Sequence, residues 1–138
     1  MKVILDTNIL ISALIKDSIT RRIIFESGLN FYYPEISLNE LHKHTNLILK
    51  KSNMGKKDLD LLLNRLLNYI RLIPEHRIVN CLNEANILLG HIDHDDVVFI
   101  AAALISNAAI WSDDKHFQKQ KSIKIFTTKD MIEELKDN

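Results

Sequence analysis

Val3-Ile4-Leu5-Asp6-Thr7-Asn8-Ile9-Leu10 is the stretch whose pattern decides the fold. Val3 to Leu5 form a short aliphatic run without polar alternation, and it stops abruptly at an acid. Such a run predicts a strand buried on both faces, as in a parallel sheet covered by helices above and below. Asp6, Thr7 and Asn8 are cap and turn formers, and the aliphatic residues 9–15 predict a buried helix directly after them. A strand that passes into a helix through one acidic cap opens an α/β unit.

The alternation continues down the chain. Residues 20–27 are amphipathic, with Ile23 and Ile24 inward and Gly28 at a C-cap position. Phe31-Tyr32-Tyr33 predicts a second strand, stopped by Pro34. A helical pattern runs over 36–51 and is broken by Ser52-Asn53-Met54-Gly55. It resumes over 56–69 with Leu59, Leu62, Leu63, Leu66 and Leu67 at helical spacing, which predicts an αα-hairpin insertion around residues 36–70. A short strand at 72–74, a helix over 78–89 and a buried helix over 95–106 follow. A strand at 109–111, a loop with one helical turn over 112–121 and a strand at 123–126 lead to a terminal helix capped by Thr128. The expectation is a single domain over 1–138 with an α/β fold, a three-layer α/β/α sandwich around a short, mostly parallel central sheet.

Composition narrows the function classes. Apolar residues make up 46% of the 138, enough for one core, so wholesale disorder is excluded. Eighteen Lys and Arg balance eighteen Asp and Glu, so any basic surface is a local patch and not a global field. No apolar run approaches the roughly 18–20 residues of a membrane span. Asp6 and Asn8 interrupt the first apolar run too early for a secretory signal. The lone Cys81 excludes an internal disulfide and a Cys-based zinc cage, and it points to a reducing cytoplasm. Glycine stands only at 28, 55 and 90, which excludes a phosphate-binding P-loop and a dinucleotide fingerprint.

Ligands of an open parallel sheet gather beyond the carboxyl ends of its strands, where strand order reverses. Several acids fall at that edge. Asp6 follows the first strand, Asp113 and Asp114 follow the Ile110-Trp111 strand, and Asp93, Asp95 and Asp96 begin the buried helix. Glu40 lies early in the helix entered through Pro34. Each also has a structural reading: Asp6 as a helix cap, Asp93-x-x-Asp96 as a reciprocal cap, Asp113 and Asp114 as turn formers, and Glu40 as a partner of Lys43 or His44. Taken together, converging carboxylates that lose hydration either rise in pKa or bind a cation. An oxygen-rich set without Cys suits Mg²⁺ or Mn²⁺, and such an ion polarises phosphoryl oxygens and acidifies water. Thr7, Asn8 and Ser112 are suitable partners to hold the carboxylates in place.

These residues resemble a known family. V-I-L-D-T-N-I-L at 3–10 resembles the opening of PIN domains, the fold of VapC-type toxin ribonucleases and of several RNA-processing nucleases. N-E-L at 39–41, D-H-D-D-V-V-F-I-A-A-A-L at 93–104 and W-S-D-D-K-H-F at 111–117 resemble further family motifs in family order. The resemblance implies metal-dependent endoribonuclease activity, with Asp6, Glu40, Asp96 and Asp114 at the four acidic positions that hold Mg²⁺ or Mn²⁺. Asn8 and Ser112 match the supporting polar positions, and Asp93 matches the first acid of its segment. The resemblance prefers Asp96 over Asp95. Asp113 and His116 depart from the pattern, His116 standing where many relatives carry an acid. A homodimer and a silencing antitoxin partner are implied by the VapC likeness.

For an RNA substrate, residues 38–65 carry six bases, densest at Lys50, Lys51, Lys56 and Lys57, against three acids. Lys115 begins a second basic stretch directly after Asp114. Such patches neutralise phosphates, or else form a solvated face on a greasy hairpin. Tyr32, Tyr33, Trp111 and Phe117 are candidates for stacking on bases, although Tyr33 and Trp111 fit core spacing better. Three rivals stand beside the nuclease. One is a PIN-like RNA- or protein-binding module without cleavage. The second is a haloacid-dehalogenase-like or receiver-type phosphotransfer domain, opposed by Asn8 and Leu10 and by the single acid near the first strand. The third is a zinc site from His91, Asp93 and His94 with His42 or His44 as an outside donor, which helical and turn spacing disfavours.

Overall fold

Val3, Ile4 and Leu5 are fully buried, and the strand they belong to, β1 (Lys2–Leu5), lies at the centre of the sheet. The computed structural model describes residues 1–16, 18–89 and 94–136. After β1 the chain forms α1 (Thr7–Ile15), α2 (Ile19–Glu26) and β2 (Asn30–Pro34). A 3-10 turn (Glu35–Ser37) leads into α3 (Leu38–Lys43), α4 (Thr45–Ser52), α5 (Lys56–Leu67) and β3 (Ile70–Ile73). Then come α6 (Glu75–Val79), α7 (Leu82–Leu89), α8 (His94–Ser106) and β4 (Ala109–Trp111). A 3-10 helix (Lys115–Lys119), β5 (Ile125–Phe126) and α9 (Thr128–Lys136) complete the described elements.

The strands run in the order β3-β2-β1-β4-β5, and every pairing is parallel. Ile4 is in register with Tyr32 on one side and Ile110 on the other, and Leu5 with Trp111. The chain therefore leaves the centre in one direction, reaches the β3 edge, and returns to build the other half. Right-handed crossovers then place α1 to α5 on one face and α6 to α8 on the other. The packing agrees, since α1 touches α2, α3, α4 and α5, while α8 lies on β1, β2 and β4 with α6 and α7 against it. The nearly all-apolar face of α8, from Val97 to Ala103, fills the core, which is why its sequence shows little polar interruption. Among the described residues no helix is long and apolar enough to cross a membrane.

The expected three-layer α/β sandwich with a parallel sheet is what forms. Local boundaries differ in five places. The pattern over 36–51 is not one helix but a 3-10 turn followed by α3 and α4. At that break the Thr45 hydroxyl donates to the His42 carbonyl (2.7 Å), and His44 Nδ1 lies 2.9 Å from the Glu40 carbonyl. These local bonds compete with continuation of the helix. The hairpin turn after α4 forms at the expected place, with Asn53 in the left-handed region (φ 61°) closing the helix. The expected helix over 78–89 is divided into α6 and α7. The third strand begins at Ile70, earlier than expected, and the last is confined to Ile125–Phe126. The terminal helix is capped one residue early, by Thr127 and Asp130 exchanging side-chain-to-backbone bonds of 3.0 and 3.1 Å.

Candidate functional site

Strand order reverses between β1 and β4, so the crevice beyond their carboxyl ends is where an open sheet of this kind holds ligands. Asp6 is the first residue past β1 and is buried, at 4% exposure. Its two oxygens have different partners. Oδ1 accepts the Ile9 N–H at 2.9 Å and so caps α1, while Oδ2 accepts the Ser112 hydroxyl. The structural and the functional readings of this acid are therefore compatible, because each carboxylate oxygen keeps a further lone pair. Ser112, fully buried and first past β4, also accepts the Asp114 N–H at 3.0 Å. One hydroxyl thus ties together the ends of the two strands that flank the crevice.

Two further acids arrive on helices. Glu40, on α3, accepts the Thr7 hydroxyl at 3.2 Å, and Thr7 Oγ1 lies 2.8 Å from the buried Tyr33 hydroxyl. Tyr33 in turn donates to the Ser37 carbonyl at 2.9 Å, fixing the entry to α3 beside α1. Asp96, in the first turn of α8, lies 3.7 Å from His116 Nδ1, and Asp114 Oδ1 lies 3.4 Å from the same nitrogen. Donor atoms of Asp96, Asp114 and His116 all fall within 4.8 Å of one another. These contacts form two connected groups, Asp6–Ser112–Asp114–His116–Asp96 and Glu40–Thr7, and Asp6 and Thr7 are adjacent in the chain.

The electrostatics match the crowding. Burial pushes the Asp6 carboxyl up to about 6, against the lowering effect of its bonds to Ser112 and Ile9, and the charges of Asp114 and Asp113 push it further. Burial also raises Glu40, followed by the charge of Asp95, with the Thr7 bond and His44 opposing and Asp96 adding. Both neighbouring acids thus act on Glu40, Asp95 the more strongly, and Asp96 also stands beside His116. Asp6 and Glu40, whose burial disfavours the ionised form, together with Asp96 and Asp114 make an all-oxygen donor set that could hold a hard cation.

Other candidate residues fall in varied places. Asn8 is exposed on the first turn of α1, and Glu40 and Asp6 take their hydroxyl bonds from Thr7 and Ser112. Asp93 lies outside the described residues, as does His91 of the zinc alternative. Lys50, Lys51, Lys56, Lys57 and Lys115 all reach the surface, and Lys56 pairs with Asp60 at 3.3 Å. Tyr33 and Trp111 are core residues, as their spacing indicates, but so is Phe117, so it cannot stack on a base. Asp113 is more than a turn former. It accepts the Thr128 N–H and hydroxyl, both at 2.7 Å, and Thr128 accepts the Trp111 indole N–H at 3.0 Å. Nothing in the local sequence signals this clamp, because its two halves are fifteen residues apart.

The PIN domain family profile matches residues 4–136. No curated protein matches the chain by sequence. Solved structures share the fold at low identity. The chain is similar to VapBC2 from Rickettsia felis bound to a promoter DNA fragment, with 18% identity, 92% of this chain and 98% of that one covered, and a TM-score of 0.71. It is similar to VapBC-1 from nontypeable Haemophilus influenzae, at 21% identity over 92% and 98% of the two chains, with a TM-score of 0.66. PAE2754 from Pyrobaculum aerophilum is 13% identical over 100% and 97%, also with a TM-score of 0.66. With the profile spanning nearly its whole length and a five-stranded parallel sheet at its centre, this chain belongs to the PIN domain family.

Proposed function

We propose that this chain is a Mg²⁺- or Mn²⁺-dependent endoribonuclease that hydrolyses RNA phosphodiester bonds, and that it is the toxin of a VapBC-type pair. The observation that supports the reading is the Ser112 bridge between the Asp6 carboxylate and the Asp114 N–H, with Glu40 on α3 and Asp96 on α8. Asp6, Glu40, Asp96 and Asp114 would hold the ion, which when bound would polarise the scissile phosphate and acidify water. The chain's own residues then set the geometry. Ser112 and the α1 backbone lock the Asp6 carboxylate, and Thr7 fixes Glu40, so little reorganisation is needed at reaction. Lys51 shares a groove of ≈ 620 Å³ with Lys16, Asp113 and Thr128, which supports a path for the RNA backbone leading to Asp114.

The antitoxin belongs to the same proposal, supported by the similarity to the VapBC structures, and so does the homodimer. The test uses the purified chain and its Asp6→Asn variant, mixed RNAs, and either Mn²⁺ or chelator, with the cut ends mapped. Cleavage only by the wild type with metal is expected. Cleavage that survives chelator or the substitution would reject the chemistry, and binding without any cleavage would favour the non-cutting module.

A further inference from the structure

Resting on that metal-centre reading, we propose that His116 is itself a ligand of the ion, making the site a mixed carboxylate–imidazole one that prefers Mn²⁺ to Mg²⁺. The donor spacing carries the inference. His116 Nδ1 lies 3.4 Å from Asp114 Oδ1 and 3.7 Å from Asp96 Oδ2, with the three donors inside 4.8 Å. Ligands at about 2.1 Å around one octahedral ion stand roughly 3 to 4.2 Å apart, so the His116 nitrogen already stands at shared-sphere distance from both carboxylates.

The ring is held there by the fold. Asp114 accepts the His116 N–H at 2.9 Å, which turns the chain so that the ring folds back over the carboxylates. The next residue, Phe117, is buried against Phe99 of α8 in an edge-to-face pair at 6.4 Å. Phe99 lies three residues, about one helical turn, beyond Asp96, so the same contact that docks the 3-10 helix on α8 sets His116 beside Asp96. Gln120 closes the turn from behind, donating to the Phe117 and Ile123 carbonyls (both 3.0 Å) and accepting the Ile123 N–H at 2.8 Å. His116 itself remains half-exposed, open to an incoming ion. Imidazole nitrogen is a borderline donor that first-row transition ions accept more readily than Mg²⁺ does, so replacing a carboxylate by it shifts selectivity.

The experiment titrates Mn²⁺ and Mg²⁺ separately into the full chain, wild type, His116→Ala, His116→Asp and Asp114→Asn, by calorimetry. Pulsed EPR of bound Mn²⁺ then reads nitrogen coupling. A nitrogen coupling in wild type that vanishes in His116→Ala, a loss of Mn²⁺ affinity there of about tenfold or more, and a narrower Mn²⁺/Mg²⁺ affinity ratio in His116→Asp are expected. Melting in chelator checks that these exposed-site variants stay folded. Mn²⁺ bound without nitrogen coupling, or coupling retained in His116→Ala, overturns the ligand role of His116 and leaves the carboxylate centre standing. Absence of Mn²⁺ binding in wild type, or binding unchanged in Asp114→Asn, overturns the metal-centre reading itself.

Discussion

Asp6 combines a helix cap and a crevice acid in one side chain, and the cost of that arrangement is measurable. Its folded pKa of about 6 lies above the ordinary 3.8, so the ionised form is disfavoured by folding. The sign follows: below the unfolded pKa there is no penalty, and stability declines as pH rises from about 4 to 6 and stays reduced above that. A shift of about two units corresponds to roughly 3 kcal/mol as an upper figure. In chelator, Asp6→Asn is expected to remove this loss, so the variant gains on the wild type between about pH 4 and 7 by a sum of that order. Urea unfolding at both pH values checks it, and an equal pH response in the two proteins would contradict the assignment. The acid was legible because it ends the aliphatic run that defines β1. Its partner Ser112 could not be paired with it by spacing, being 106 residues distant.

At the scale of elements, the short 3-10 helix and α9 are fastened by side-chain hydrogen bonds in addition to the apolar contacts of Phe117 and Met131. Gln120 is 6% exposed and makes three bonds that close the loop after Phe117. Gln120→Ala leaves two carbonyls and an N–H without those partners, with an expected loss of about 1–3 kcal/mol in denaturant melts. Thr128→Val keeps the shape but breaks the link from Asp113 to Trp111, and about 1–2 kcal/mol is expected to go, with Thr128→Ser retaining most of it. A Val variant as stable as the wild type would show the clamp to be idle. Such fastenings mark where hydrophobic patterning stops being informative. Periodicity located β1, β2, α5 and α8, whose apolar faces meet the core. It ran α3 into α4 because the Thr45 and His44 bonds that interrupt them leave the hydrophobic spacing intact. The same limit hid the Thr127–Asp130 cap behind Thr128.

Topology decides which charges can act together across the whole molecule. Beginning at the central strand puts Asp6 beside the end of β4, and the return to β4 through α8 brings Asp96 to the same rim, although ninety residues separate the two acids in sequence. It also divides the basic hairpin tip. Lys51, at the end of α4, shares the groove that reaches Asp113, whereas Lys56 begins α5 on the far side of the turn and already faces Asp60. If RNA runs along that groove, Lys51→Glu weakens RNA affinity more than Lys56→Glu does. Every phosphate that a lysine no longer neutralises lowers the slope of log K against log salt by about 0.7 for a single strand. A charge reversal at Lys51 is therefore expected to flatten that slope by about 0.7, while reversal at Lys56, whose charge is partly matched by Asp60, changes it little. Binding should be measured across a salt series in the Asp6→Asn background, so that the RNA stays intact. Equal slopes for the two variants would move the backbone path off the α1–α4 groove, whereas a flattened slope for Lys51 alone ties the RNA to the same side of the crevice as Asp113 and Asp114.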